Sequence, residues 1–369
     1  MKKLVLAALV GVAFTGCVQN EEFAPKPQKE ISFEVANYVH STRANGAFNY
    51  TSFAANAWVT DGGPAKQLIK DEAVTKQEID GTNVWKTANT YYWPLEGTVD
   101  FICYYPATEK EKPSIAYDYA GADKLTYKDY EVADVDVMYA DKAVRYSANN
   151  SKTDNGTDFG IGSYGFTGVP TLFHHALAKL NFEVQNGHHD DGVYLWKVTV
   201  KSITANNIHK KGSVTLNHSG KDENEDGVFD EPSYGDWTLP TPAVWTPSAT
   251  PVRATYTWDP DSDVVLADAT IKPFDAKTVY VMPQTLTKVD VHQTVTVVYT
   301  VDQIRKSDSA VISSKDYSPI LDLYSPTLEH WQMNTDITYK LSFNPKGEMI
   351  LFAPAVKDWE PVPGGVTVM

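Results

Sequence analysis

The sequence predicts an all-β fold arranged as two antiparallel β-sandwich domains. Three observations lead there. Short runs alternate apolar with polar residues, Gly, Pro, Asn and Asp punctuate the gaps between them, and no window carries a long apolar stripe at helical period. Val, Thr and Tyr, which suit a pleated and half-buried surface, are abundant, with 21 Tyr in 369 residues.

In chain order, Ile31, Phe33 and Val35 share one face of the first candidate strand. Val99, Phe101 and Cys103 do the same ahead of Pro106, with Tyr104 and Tyr105 closing that run. Residues 179–184, 196–203, 292–301 and 339–343 alternate cleanly, and residues 279–282 add a short apolar segment. These patterns predict half-buried strands of antiparallel sheets. Residues 67–76 and 170–178 are the best candidates for short helices. Residues 147–167, rich in Ser, Asn, Gly, Thr and Asp, predict a long loop, and residues 187–192 a second polar break. The expected division is therefore residues 44–187 and 188–369, with residue 168 as the rival boundary. Residues 217–258 form a polar, Pro-rich excursion inside the second half.

The N-terminus has its own chemistry. Lys2 and Lys3 precede an apolar run over residues 4–14, which ends at Thr15-Gly16-Cys17. A bilayer span needs roughly 20 apolar residues, so this run predicts a signal segment rather than a membrane helix. Small residues before a Cys are similar to the lipobox of bacterial lipoproteins, with Phe14 departing from the usual Leu. Residues 1–17 are thus a signal peptide plus a lipidated Cys17, and residues 18–43 a tether followed by the first strand. With Cys17 acylated, Cys103 has no partner in the chain, so no disulfide staples the fold and stability must come from a large core.

The formal net charge is −15, and removing residues 1–43 hardly changes it. Such a surface repels nucleic acid and anionic headgroups, so membrane contact is expected only through the lipid. Arg is confined to Arg43, Arg145, Arg253 and Arg305, too few for a phosphate-binding role. No Gly-x-Ser-x-Gly, His-Glu-x-x-His or phosphate-cradling Gly loop is present, and the chain is not expected to be an enzyme.

Several segments together resemble the fimbrillin-like family, the type V pilins of Bacteroidales. Residues 93–106 end in an aromatic–Pro pair, residues 136–140 follow, and Phe173-His174-His175 leads into the strand 179–184. Residues 200–203, Lys211-Gly212, 279–284 and 350–360 continue the likeness in order to the C-terminal region. The resemblance implies sandwiches of transthyretin-like or immunoglobulin-like kind and a structural role in adhesive fimbriae. It also implies a mechanism. A lipoprotein precursor reaches the outer membrane surface, a trypsin-like protease removes its first strand, and another subunit's C-terminal strand fills the groove. The implied partners are copies of itself or sibling subunits, the processing protease, and a surface receptor on host or bacterium.

The residues fit that scheme. Ile31, Phe33, Val35 and Val39 would lie on one face of the displaced strand, and Arg43-Ala44 follows in a polar stretch suited to proteolysis. The donor strand would be residues 361–369, in which Val362, Val366 and Val368 share a parity. Pro361 and Pro363 would keep its lead-in extended and unpaired. Apart from this, Asp222, Asn224 and Asp226 alternate, Gly227 follows and Asp230 comes next, as in the first part of an EF-hand calcium loop. Ser233 stands where a bidentate Glu is usual, so the stretch reads either as an acidic solvated loop or as a structural calcium loop, and no other cofactor is expected. His174-His175 and His188-His189 are adjacent pairs whose members would point to opposite faces of a strand, which argues against a metal. Two other classes compete: a monomeric surface lipoprotein that binds glycans through exposed aromatics, and a glycoside hydrolase with a carboxylate pair.

Overall fold

The computed structural model describes residues 29–35, 48, 50–79, 82–108, 112–117, 123–140, 142–147, 159–160, 168–171, 173–218, 246–247, 252–275, 277–288, 292–344 and 349–358. Every regular element among them is a strand. The first half supplies β1 (Phe33–Val35), β2 (Ser52–Thr60), β3 (Lys66–Ile79), β4 (Thr82–Thr87), β5 (Thr98–Tyr105) and β6 (Ser114–Ala116). It continues with β7 (Asp123–Glu131), β8 (Met138–Ala140), β9 (Ala143–Ser147), β10 (Phe159–Gly160), β11 (Val169–Thr171) and β12 (Phe173–His175). One large sheet runs β10-β9-β5-β2-β3-β4-β1-β11, with β8 joining β12 to β5.

The centre of this sheet is covered on both sides. Phe53, Ala55, Phe101 and Cys103 point into one core, where they meet Phe33 and Phe173. Ala54, Trp58, Ile102 and Tyr104 point into another, where they meet Leu125 and Leu216. β2 and β5 are therefore buried along most of their length. The sequence had led to half-buried strands, but a strand covered on both faces needs a near-continuous apolar run and loses its alternation.

Residues 67–76 are not a helix but the middle of β3, paired with β2 on one side and β4 on the other. Between Ile69 and Glu72, β3 carries one more residue than β2 does between Ala57 and Ala55. Asp71 adopts a left-handed φ of 50° in this bulge. Asn56 clamps it: its Nδ2 donates to Asp71 Oδ1 at 3.1 Å, and its Oδ1 accepts Asp71 N at 3.0 Å. The extra residue lets Ile69 and Val74, an odd number of positions apart, both bury. That odd spacing is what resembles a helical period in the sequence. Residues 170–178 likewise fall in β11, β12, a bend and the start of the next strand.

The second half supplies β13 (Ala178–Asn186), β14 (Tyr194–His209), β15 (Lys211–His218), β16 (Thr246–Pro247), β17 (Arg253–Trp258), β18 (Val264–Leu266), β19 (Lys272–Pro273) and β20 (Val279–Val281). β21 (Gln284–Thr285), β22 (Thr294–Arg305), β23 (Val311–Tyr317), β24 (Ile320–Asp322), β25 (His330–Trp331), β26 (Thr335–Asn344) and β27 (Met349–Asp358) follow. Two sheets, β19-β13-β26-β27 and β17-β14-β22-β23, sandwich one core. Here the alternation is regular, with every second residue of β13, β22 and β26 buried over most of each strand. β14 breaks its alternation by an extra residue between Val200 and Ser202, so Val198, Val200 and Ile203 all face inward. The sheets are mainly antiparallel, but β1 with β11, β9 with β10 and β13 with β26 run parallel.

The two halves of the sequence interlock. β13 lies before residue 187, yet it pairs with β26 and β20 from the C-terminal region. β14 belongs to the second sandwich, and one residue later β15 joins β7 of the first half, forming the sheet β16-β15-β7-β6 that covers the outer core. A polar network crosses the junction. Asp136 Oδ2 meets His175 Nδ1 at 2.5 Å and accepts the Tyr50 hydroxyl at 3.3 Å. Tyr50 also lies 3.4 Å from the Tyr280 hydroxyl, and Asn334 Oδ1 accepts His175 N at 3.3 Å. Burial, then the neighbouring Asp136 charge, pushes the Tyr50 hydroxyl far above its ordinary pKa, so it acts as a donor here.

A second polar cluster bolts β5 to β7. Lys142, 1% exposed, pairs with Asp100 at 3.2 Å and with Asp123, under the face of Tyr117. The Tyr117 hydroxyl donates to Asp100 at 3.0 Å, and its ring stacks on Trp58 at 4.4 Å. Removing one partner of such a cluster strands buried charge. Lys142→Met should therefore lower the unfolding free energy by roughly 3–5 kcal/mol. Urea denaturation followed by Trp fluorescence checks this, and a change below experimental error would refute it.

Candidate functional site at the first strand

The expected displaced strand is only partly within the described residues: Ile31, Phe33 and Val35 are, whereas Val39 is not. Cys17, Arg43, Ala44, Asp222, Asn224, Asp226, Asp230, Val362, Val366 and Val368 also lie outside them. The described part is held on both sides. β1 runs antiparallel to β4 through Phe33 and Trp85, and parallel to β11 through Phe33 and Val169. Backbone bonds extend beyond the short ladder. Ile31 N donates to Tyr91 O at 2.8 Å, Trp93 N to Lys29 O at 2.9 Å, and Val169 N to Ser32 O at 2.8 Å. Lys86 Nζ reaches Glu30 Oε2 at 2.7 Å.

The side chains of this strand are the floor of a core. Ile31 is 1% exposed and Phe33 3%. The Phe33 ring makes edge contacts to Phe53 and Phe101, each with centroids 5.7 Å apart. Phe48 enters the same cluster, stacked on Phe173 at 4.3 Å and edge-on to Phe53 at 5.7 Å. Thus Phe33 and Phe48, which flank the expected cut at Arg43-Ala44, both pack on Phe53. Sequence reasoning missed Phe48, whose short polar surroundings carry no strand period.

Sequence reasoning also missed Gly168 as a site residue, since the sequence marks it only as a rival boundary. A Cβ there would lie 2.7 Å from the Phe33 carbonyl carbon and 2.9 Å from Ser32 O. Nothing but Gly allows the backbone of β1 to approach β11 this closely. Withdrawal of residues 29–35 would leave Tyr91 O, Trp93 N and Val169 N without these partners and open apolar sockets beneath. A buried backbone group left unpaired costs about 1–3 kcal/mol, and each large side chain taken from water is worth about 1.5–3 kcal/mol. An extended segment satisfies both requirements together.

His174 and His175 have structural tasks. His174 stacks on Tyr139 at 5.3 Å, and His175 is in the Asp136 network. Asp191 Oδ1 accepts Tyr194 N at 2.7 Å and Asp190 pairs with Lys306, so the 187–192 break is a braced turn. Among the described residues no group of three or more His, Cys, Asp or Glu could hold a metal ion. Cys103 is buried, which pushes its thiol well above the ordinary range and leaves it unreactive. At the other end of the chain, β27 is an outer strand of its sheet, with Pro354 on it and Val356 exposed. Asp358 is its last residue, three before the expected donor segment.

The model of the fimbrillin-like family matches residues 42–359. The chain belongs to this family. A fimbrial protein from Bacteroides vulgatus ATCC 8482 shares the fold, with a TM-score of 0.53 at 15% identity over 89% of this chain and 99% of that one. The tip fimbrial protein Mfa3 from Porphyromonas gingivalis, with C-terminal truncation, aligns at a TM-score of 0.32 and 10% identity over 90% of this chain and 100% of that one. No curated protein matches. The stretch matched by the family leaves out β1 on one side and residues 361–369 on the other.

In this fimbrillin-like chain Gly168→Val should expel β1 without unfolding the second sandwich. Hydrogen exchange at the amides of Ile31, Trp93 and Val169 is expected to rise toward that of an open segment, while β13 and β26 stay protected. Unchanged protection at those three amides would show that the close approach at Gly168 does not hold the strand.

Proposed function

We propose that the chain is the precursor of a fimbrial subunit that polymerises by strand exchange. In this reading it is exported as a lipoprotein on Cys17 to the outer membrane, and a trypsin-like protease cuts between Arg43 and Ala44. Residues 18–43 depart with the lipid, and the tail containing Val362, Val366 and Val368 of another copy or a sibling subunit enters the vacated slot. The fibre stands on the cell surface and adheres through a receptor on host or bacterium. Membership of the fimbrillin-like family supports the subunit role. The observation that carries the strand-exchange step is the position of β1 inside the sheet, between β4 and β11, where its removal leaves two unpaired edges and an open core.

N-terminal sequencing and intact mass of the protein sheared from its native cell surface test this. The expected result is a start at Ala44 in material that runs as a ladder when unheated, and loss of the ladder on deleting residues 361–369. A start at acylated Cys17 in monomeric material would sink the proposal in favour of a tethered binding protein.

We further propose that Asp222, Asn224, Asp226 and Asp230 hold a structural calcium that stiffens the 217–258 excursion. Adding a chelator should lower the melting temperature of the wild type and leave the Asp222→Asn/Asp226→Asn variant unaffected. Equal melting with and without calcium in the wild type would refute the site.

A further inference from the structure

The slot has a polarity, a spacing and a hydrogen-bond pattern, and these single out one way of filling it. We infer that Val366 of a second copy takes the place of Ile31 and Val368 the place of Phe33, with the tail running in the direction of β1. This rests on the strand-exchange reading above and adds the register.

Direction follows from the neighbours. A segment antiparallel to β4 and parallel to β11 reproduces both ladders, whereas a reversed segment would have to exchange the two bonding patterns. Register follows from the sockets. Two buried side chains are required two residues apart, as Ile31 and Phe33 are, with half-buried positions at Ser32, Glu34 and Val35. Within residues 361–369, Val366 and Val368 are the aliphatic pair with that spacing, since Val362 is two residues from Gly364. Pro361 and Pro363 have the same spacing, but the residue in the Ile31 place must donate an N–H to Tyr91 O, which Pro lacks.

Two flanking positions then agree, while Gly365 in the Glu30 place gives up the ion pair with Lys86. Thr367 replaces Ser32, hydroxyl for hydroxyl, and its carbonyl accepts the Val169 N–H. Gly364 replaces Lys29 and presents its carbonyl to Trp93 N. Gly168 faces the backbone of Thr367 and Val368 as it faces that of Ser32 and Phe33. One difference has a consequence for order. Val368 is smaller than Phe33 and does not span to the Phe53 and Phe101 rings. The original strand therefore fills the socket better than the incoming one, so the tail does not displace an intact β1, and the cut must come first.

Engineered cysteines test the register in the processed subunit. Trp85 is the antiparallel partner of Phe33, and such facing positions lie within disulfide reach. The Trp85→Cys/Val368→Cys subunit should give, under mild oxidation, a ladder that survives boiling and collapses with reductant. Trp85→Cys/Val366→Cys should not, and buried Cys103 does not compete. Polymer that crosslinks through position 366 and not 368 would overturn the register. Absence of polymer in the unmodified processed subunit would instead overturn strand exchange itself. Because Trp85→Cys removes a core ring, a second pair of variants stands without it. Val368→Phe should shift fibre dissociation to higher denaturant and Val366→Phe to lower, and the opposite order would also overturn the register.

Discussion

The burial of β2 and β5 on both faces is the constraint on which the rest of this molecule depends. A sheet whose centre is apolar above and below cannot stop at one layer. On one side the sheet gathers its own members, with β1, β11 and β12 closing over Phe53 and Phe101. On the other it needs a cover that the first half does not fully supply. β6 and β7 make part of it, and β15 and β16 come from beyond residue 187 to complete it. The interlock of the halves follows from this demand for a second cover.

That interlock gives the subunit a continuous mechanical path. β14 lies in the second sandwich and β15 in the cover of the first, with only Lys210 between them. Lys210 itself pairs with Glu131, and its carbonyl accepts Val132 N at 2.8 Å. The buried Lys142 cluster and the Asp136–His175 network add polar bolts across layers that apolar packing alone would leave free to slide. Among the described residues Cys103 is free and buried.

The slot itself combines permanence and removability. β1 is interior and buried, so while it is in place the neighbouring edges of β4 and β11 are paired and the aromatic core beneath is covered. Yet β1 is short and joins the body through residues 36–47, which contain Arg43. In the proposed processing, a cut in this stretch would leave the strand held only by noncovalent contacts, without the effective concentration that its own chain provides. Phe48, on the far side of that proposed cut, would remain attached and keep one wall of the socket in place.

The sequence by itself determined the fold class and the strands β13, β22 and β26 of the second sandwich, because these bury one face each and a one-sided strand writes its burial as alternation, whereas β17, inside the polar stretch 217–258, is not legible in this way. It also carried enough ordered motifs to resemble the right family, and it placed Ile31 and Phe33 on a common face. Tertiary structure decided the remainder. The short helices expected at 67–76 and 170–178 became strands because the bulge at Asp71 and the turn between β12 and β13 break the period that a strand would otherwise show. Whether β5 was buried on one face or two depended on a cover from β15, more than a hundred residues away. Gly168 and Phe48 became site residues only through proximity to β1, a relation between distant segments that no local pattern records.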